Sequence, residues 1–301
     1  MKLKNSVHIY AITTIIFWSL AYVLTKLALQ YFTPFSLGFL RYLIASVTLL
    51  VIALITKMAP PNKKDLPWFA LAGALGFFLY MVAFNQGQQM VTASTASIVI
   101  ATVPVITALI ARVVYKEKLS IFQWAAVVIE FAGVAVFTIM AGEFSVNTGL
   151  VWLFVAALAL SLYNVLQRKL TKKYTAVQTS AFSIFFGTVL LAIFLPSSIS
   201  AAAKAPGIQW FYLIVLGVFS SALAYVAWAK AFSNAKQTSQ VSNYMFITPF
   251  LTSVLGFVIA KEIPESSTLL GGGIILLGVF IFNFGEKLYL YLHKRDDVSI
   301  K

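Results

Sequence analysis

Long apolar segments recur along the chain, separated by short stretches in which polar and charged residues collect. A hydrocarbon layer about 30 Å thick requires roughly 20 apolar residues in one spanning helix. The runs are continuous rather than alternating, so they indicate membrane helices and not the strands of a barrel. Runs of the required length predict ten spans, at 8–29, 34–56, 67–89, 93–115, 120–141, 147–168, 175–195, 209–232, 237–260 and 266–291.

The composition supports a lipid environment. Of the 301 residues, 60% are hydrophobic and 10% are charged, against about 45–50% and 25% in a soluble domain. A chain this apolar lacks the polar surface needed to cover itself in water. We interpret the first run as a retained helix rather than a cleaved signal peptide, since it continues well past the small residues Ser19 and Ala21.

The charge is unbalanced, with 22 Lys and Arg against 9 Asp and Glu and a net charge of +13. Most of the basic residues fall in connections that ten antiparallel helices would place on one side, together with both chain ends. The positive-inside rule then predicts a multi-pass protein of the cytoplasmic membrane with both termini in the cytoplasm. This orienting role accounts for the positive charge, and no nucleic-acid partner is expected.

The sequence also repeats itself. One constant shift places Pro104 on Pro249, and a slightly smaller one places Lys26 on Arg168. We predict an all-α membrane protein of two five-helix repeats, residues 1–142 and 143–301, the second ending in a short basic cytoplasmic tail. Because five is odd, the repeats are inverted relative to each other. Secondary transporters recurrently use inverted repeats that meet at the bilayer midplane.

Two motifs carry a family resemblance. The segment from Trp18 to Lys26 is followed by Pro34 and, seven residues later, by Arg41. A proline also precedes a glutamate by thirteen residues in each repeat, as Pro104 and Glu117 and as Pro249 and Glu262. This pattern resembles the EamA-type members of the drug/metabolite transporter superfamily. The resemblance implies a ten-helix carrier of small metabolites, often an exporter, with a cavity lined by the first, third, fourth, sixth, eighth and ninth spans.

Polar and aromatic side chains at mid-depth are the candidate substrate cavity, because polar groups in a membrane are costly without a role. On the third span, Tyr80, Phe84 and Gln88 share one helical face with Asn85 beside them. Their amides either bind a solute or join neighbouring helices. The full candidate set is Trp18, Tyr22, Tyr80, Phe84, Asn85, Gln88, Ser97, Tyr163, Asn164, Tyr225, Trp228, Ser242, Asn243 and Tyr244.

Prolines and basic residues add further candidates. Pro104 and Pro249 each remove a mid-span backbone hydrogen bond, so they are candidate hinges at matched places. Lys26, Arg41 and Lys230 lie near the ends of spans. There they either extend to the lipid headgroups or form a vestibule that recognises carboxylates.

The carboxylates receive separate interpretations. Glu117 and Glu262 are expected to be structural, accepting hydrogen bonds from nearby lysines or helix-end amides. Glu130 lies about ten residues inside the fifth span. It is either a proton-coupling site or a neutral, hydrogen-bonded structural group, and we favour the structural role because this span is peripheral in the family.

These features predict a secondary transporter, an exporter of amino acids or related neutral or zwitterionic metabolites that works by alternating access. The alternatives are an exchanger of phosphorylated metabolites or nucleotide sugars, and a non-transporting scaffold or channel. No enzyme activity, metal or cofactor is expected, since the chain has no cysteine and its 2 histidines stand near opposite ends. The expected partners are the small-molecule substrate and the lipid bilayer, with a homodimer left open.

Overall fold

The computed structural model describes residues 2–116, 119–140, 148–235, 238–263 and 266–296. All regular secondary structure in these ranges is helical. The helices, in chain order, are α1 (Lys2–Ala28), α2 (Pro34–Ile55), α3 (Lys63–Met90), α4 (Ala93–Tyr115), α5 (Ile121–Met140), α6 (Thr148–Leu170), α7 (Ala176–Ala203), α8 (Gly207–Asn234), α9 (238–260) and α10 (Ser266–Asp296).

Seven of these helices are long and apolar enough to cross a membrane, namely α1 from Val7 onward, α2, α3, α4, α6, α7 and α8. The bent α10 makes an eighth when its two parts are taken together. Within α5 and α9 the continuous apolar helices are shorter, Ile121–Gly133 and Tyr244–Ala260. The fold is therefore an all-helical, multi-pass membrane architecture, and three of the ten expected spans are not continuous spanning helices in the ranges described.

Threonines fix where several helices begin. The Thr33 side chain accepts a hydrogen bond from Ser36 N, directly before Pro34 in the first turn of α2. Thr175 opens α7 through a reciprocal capping box with Gln178. Each side chain satisfies an amide that has no partner within its own helix. The two threonines occupy equivalent positions in the two sequence repeats, so one device starts both α2 and α7.

Two pairs of helices are interrupted at matched depths. A π-helical segment, Ala74–Leu79, widens α3, and another, Val215–Leu223, widens α8. In α4 the helix breaks at residues 101–102, and in α9 it tightens into a 3₁₀ turn at Asn243–Ile247. Such departures from the α-helix leave backbone groups outside the regular hydrogen-bond ladder.

Each break in α4 and α9 directly precedes a proline. Pro104 lies in the first turn of Val103–Tyr115, and Pro249 lies in the first turn of Thr248–Leu255. A proline there costs least, because the amide that it lacks would have no helical partner. The sequence therefore ends one helical segment and starts the next at each of these points.

The helices pack in pairs that correspond after a step of five helices. α1 contacts α8 and α9, as α6 contacts α3 and α4. α2 contacts α8, as α7 contacts α3. The self-corresponding pairs α2–α7, α4–α9 and α5–α10 also pack together. Between α2 and α7, the hydroxyls of Ser46 and Thr188, which occupy equivalent positions in the two repeats, form a hydrogen bond of 2.8 Å.

Glycines allow the closest helix contacts. A Cβ on Gly187 of α7 would lie 2.4 Å from the Phe77 Cβ of α3, and one on Gly73 would lie 2.7 Å from the Phe186 Cβ. A Cβ on Gly76 would lie 2.4 Å from the ring of Tyr163 in α6. Small residues at membrane helix interfaces permit this approach of backbones. These contacts hold α3 against α6 and α7.

Candidate functional site

A small cavity lies where α1, α2, α3, α6, α8 and α9 converge. Its volume is about 20 Å³, which is room for about one water molecule. An organic solute could enter only if the surrounding helices moved apart. The lining residues are Trp18, Ala21, Tyr22, Arg41, Tyr80, Phe84, Leu160, Tyr225, Met245 and Thr248.

Five aromatic residues from the predicted set form much of this lining. Tyr22 meets Phe84 edge-on with ring centroids 5.3 Å apart, and Tyr80 stacks on Phe84 at 5.4 Å. Trp18 contacts Tyr225 at 5.1 Å. Aromatic surfaces arranged in this way can hold an apolar or aromatic body, and the hydroxyls and indole add polar contacts.

The two amides of α3 join helices and do not line the cavity. Asn85 Nδ2 donates to Pro34 O at 2.8 Å, and Gln88 Nε2 donates to Tyr22 O. Both side chains are fully buried. Of the two roles that the sequence leaves open for these residues, the structure favours helix–helix contact.

Further candidates lie behind the cavity wall. Trp228 packs on Trp18 at 4.9 Å and donates from Nε1 to Asn164 Oδ1 at 3.2 Å. Tyr163 is fully buried and meets Phe77 edge-on. These three predicted residues therefore support the wall from behind.

The candidates on α4 and α9 are also away from the cavity. Ser97 Oγ donates to Ser94 O at 2.7 Å, and Ser242 Oγ donates to Thr238 O at 3.3 Å. Tyr244 contacts His8 of α1 through its hydroxyl. The side chain of Asn243 lies outside the described part of the structure.

Arg41 corrects the expectation of an outer vestibule. It is only 4% exposed and lines the central cavity. Its Nε donates to Ser221 Oγ of α8 at 2.6 Å, and its guanidinium lies 5.8 Å from the centroid of the Tyr42 ring. Seven residues into α2 correspond to about 10 Å along the axis, too deep to extend easily to the headgroups.

Lys26 is not a free vestibule cation either. Its Nζ donates to the carbonyls of Val91 at 2.6 Å, Gln88 at 3.2 Å and Gln89 at 3.4 Å, at the end of α3. A helix C-terminus carries partial negative charge, so a lysine there is well placed. Lys26 therefore serves as a cap of α3.

Glu262 performs the complementary task at the start of α4. Its Oε2 accepts from Ala93 N at 3.1 Å, a helix-end amide as the sequence analysis expects. Lys26 and Glu262 thus hold the two sides of the short α3–α4 connection, and we call this pair with its backbone partners the Lys26–Glu262 clasp. Glu117, the counterpart of Glu262, lies outside the described residues.

The opposite end of the bundle has its own contacts. Arg168, the repeat counterpart of Lys26, donates to Thr238 Oγ1 at 2.6 Å, joining α6 to α9. His8 contacts Tyr244 at the same end. Lys230, near the end of α8, is exposed as expected.

Glu130 lies between α5 and α10, away from the cavity. It is 2% exposed, and within the described ranges neither carboxyl oxygen has a hydrogen-bond partner. Its Cγ would be 2.7 Å from a Cβ on Gly278, while Ile275 occupies the same place over Gly133. Glu130 and Ile275 hold equivalent positions in the two sequence repeats, so Glu130 replaces an apolar packing residue.

Four lining residues were not predicted from the sequence. Ala21, Met245 and Thr248 are adjacent to, or within one helical turn of, candidates that were named. Leu160 could have been found, because the sequence repeat gives it the position in the second half that Trp18 has in the first. The fourth span, expected to line the cavity, supplies none of these residues, and α2 supplies Arg41 instead.

Comparisons with known proteins place this arrangement in a family. The model of the EamA-like transporter family matches residues 5–139 and again 147–284. The chain is 31% identical over 286 residues to the uncharacterized transporter YdfC of Bacillus subtilis (strain 168), covering 94% of this chain and 90% of that protein. It is 29% identical over 283 residues to the "Probable terminal-alkyne amino-acid exporter" of Streptantibioticus cattleyicolor, covering 94% and 95%.

A solved crystal structure extends the comparison to the fold. It superposes with a TM-score of 0.66 over 92% of this chain and 96% of its own, at 19% sequence identity. At that identity the likeness concerns the fold alone. The two family matches together cover most of the chain. The protein belongs to the EamA-like transporter family.

Proposed function

We propose that this protein is a secondary transporter that exports small organic metabolites, such as amino acids or related compounds, across the cytoplasmic membrane by alternating access. The observation that carries the proposal is the cavity enclosed by six helices and walled by aromatic rings. A family of transporters and one relative named as an amino-acid exporter support it. The proposed partners are the solute and the bilayer.

We further propose the ten-helix, inverted-repeat architecture, with repeats at 1–142 and 143–301. Two family matches in one chain support it. So do the paired π-helical segments of α3 and α8, the breaks ahead of the two prolines, and the helix contacts that correspond after a step of five. In this arrangement both termini are cytoplasmic and the Lys26–Glu262 clasp faces outward.

Alternating access follows from contacts at the two ends of the cavity. The clasp joins α1 to α3, and α9 to α4, at one end. Arg168 and Thr238 join α6 to α9 at the other. If the two ends open in turn, the solute passes through without a continuous pore.

A flux experiment tests the proposal. Purified protein in liposomes is expected to move radiolabelled amino acids down their gradients, and faster when unlabelled solute is supplied on the far side. Empty liposomes give the background. Absence of both net flux and exchange across a panel of amino acids and organic acids would contradict transport.

The two prolines provide a test of hinge bending. Replacing both Pro104 and Pro249 by alanine restores an amide at each break and favours continuous helices. We expect solute flux to fall about tenfold, since a change of about 1.4 kcal/mol in one step has that effect, with membrane insertion unchanged. Pro60→Ala, in the exposed α2–α3 connection, is the matched control. Unchanged flux in the double variant would remove the hinge role.

Glu130 offers a test of proton coupling against packing. We expect Glu130→Ile, which recreates the Ile275 contact, to raise the melting temperature in detergent, since a buried polar group without a partner costs about 1–3 kcal/mol. Glu130→Gln is expected to keep wild-type flux and wild-type proton movement, because the residue is remote from the cavity. Loss of substrate-driven proton movement in Glu130→Gln would instead assign it to coupling.

A further inference from the structure

Arg41 is the cation that the structure places on the cavity lining. It is 4% exposed, and the hydrogen bond that the described residues give it is the one from Nε to Ser221 Oγ. A guanidinium carries five N–H donors and remains charged at any physiological pH. Most of its binding capacity is therefore not used by the protein.

The charge of Arg41 also lacks a partner inside the protein. Among the residues that the structure describes, no carboxylate forms an ion pair with it. A cation at membrane depth is costly unless it is paired or faces a site. The aromatic rings around it offer only weak compensation, as with Tyr42 at 5.8 Å.

The repeat shows that Arg41 is not required for the fold. Its counterpart in the second half is Ser183, a buried residue of α7. The same helix contacts form in both halves, between α2 and α8 and between α7 and α3. The second half thus builds this packing without a cation, which argues for a specific role in the first.

We infer that Arg41 binds the anionic group of the transported solute, and that this group is a carboxylate. The inference rests on the proposed transport function and narrows its substrates to organic monocarboxylates with an apolar or aromatic body, amino acids included. The fork of the guanidinium matches a carboxylate, and the rings of Trp18, Tyr22 and Phe84 receive the body.

The alternative anion, a phosphate ester, fits less well. A phosphate carries up to two negative charges and is usually held by several cations. The described lining supplies one, since Lys26 is bound to backbone carbonyls at the helix end. A monoanion therefore matches the charge of the cavity.

Ligand-induced thermal stabilisation of the purified full-length protein tests the inference without relying on transport. The probes are phenylalanine, 3-phenylpropanoate, phenylalaninamide and phenyl phosphate. We expect the two carboxylates to raise the melting temperature and the amide to have no effect. Arg41→Met should weaken carboxylate binding about tenfold or more, as expected for loss of a hydrogen bond to a charged group, and Arg41→Lys should fall between.

Arg112→Met, which removes an exposed arginine on α4, is the matched control and should bind as the wild type does. The inference is overturned if the amide binds as well as the acid, if phenyl phosphate binds more tightly than the carboxylates, if Arg41→Met keeps its affinity, or if no probe stabilises the wild type. Should Arg41→Met not fold, the comparison of acid with amide on the wild-type protein still decides.

The same measurements separate this inference from the proposed function. Flux in liposomes without preference for the acid over the amide would overturn carboxylate binding and keep the transporter. Carboxylate binding that requires Arg41, in a protein that moves no solute, would keep the binding site and overturn transport.

Discussion

Replacing Gly187 by leucine is expected to abolish folding of this protein in the membrane. A Cβ at this position would lie 2.4 Å from the Phe77 Cβ and 3.0 Å from the Gly73 carbonyl oxygen. Neither atom is the end of a flexible side chain, so α3 and α7 would have to separate. Separation would also disturb the contact of Gly76 with Tyr163 behind the cavity. Overpacking of a tight core costs about 1–3 kcal/mol or more.

Size-exclusion chromatography of detergent-solubilised protein measures this effect as loss of the monodisperse peak. The smaller change Gly187→Ala should keep some folded protein, with a melting temperature well below that of the wild type. Gly273→Ala and Gly207→Ala are the controls, because a Cβ at either position has no atom within 4 Å. A Gly187→Ala protein as stable as these controls would show that the α3–α7 contact is looser than described.

Lys26→Met is expected to open the clasp end of the cavity and to slow transport. The substitution removes three hydrogen bonds to the end of α3. Hydrogen bonds to charged groups contribute about 1.5–3 kcal/mol, so the balance between the two access states should shift about tenfold or more. Because a carrier must pass through both states, an excess of one lowers the rate of solute exchange.

The chain contains no cysteine, which makes single-cysteine labelling a direct measurement of this opening. Ala21, which lines the cavity, is replaced by cysteine, and a membrane-impermeant maleimide is added from the clasp side. Lys26→Met should speed labelling about tenfold, in proportion to that shift, and Lys230→Met, at an exposed position, should not. Equal labelling in the Lys26→Met and wild-type backgrounds would show that the clasp does not close the cavity.

Much of the architecture could be predicted because it depends on local sequence. Apolar runs locate the helices, and matched prolines locate the breaks in α4 and α9. Five of the aromatic candidates do line the cavity, since ring size and mid-helix position are visible in the chain. Even Leu160, missed at first, follows from its correspondence to Trp18.

The amides and cations could not be placed in the same way. Asn85 and Gln88 have the same spacing whether they face a solute or a neighbouring helix, and only the carbonyls of Pro34 and Tyr22 decide. Arg41 and Lys26 both follow helix ends in sequence, yet one is buried beside Ser221 and the other caps α3. Depth in a bundle depends on which helices cross, and no single helix specifies that.

The hydrogen bond between Ser46 and Thr188 has a geometric consequence. Two residues that occupy equivalent places in the two halves can touch only close to the axis that relates the halves. When two halves exchange shapes, groups far from that axis travel most, and groups on it keep their neighbours. Ser46 and Thr188 therefore mark the fulcrum of the molecule, the point about which the proposed rocking would leave the structure unmoved.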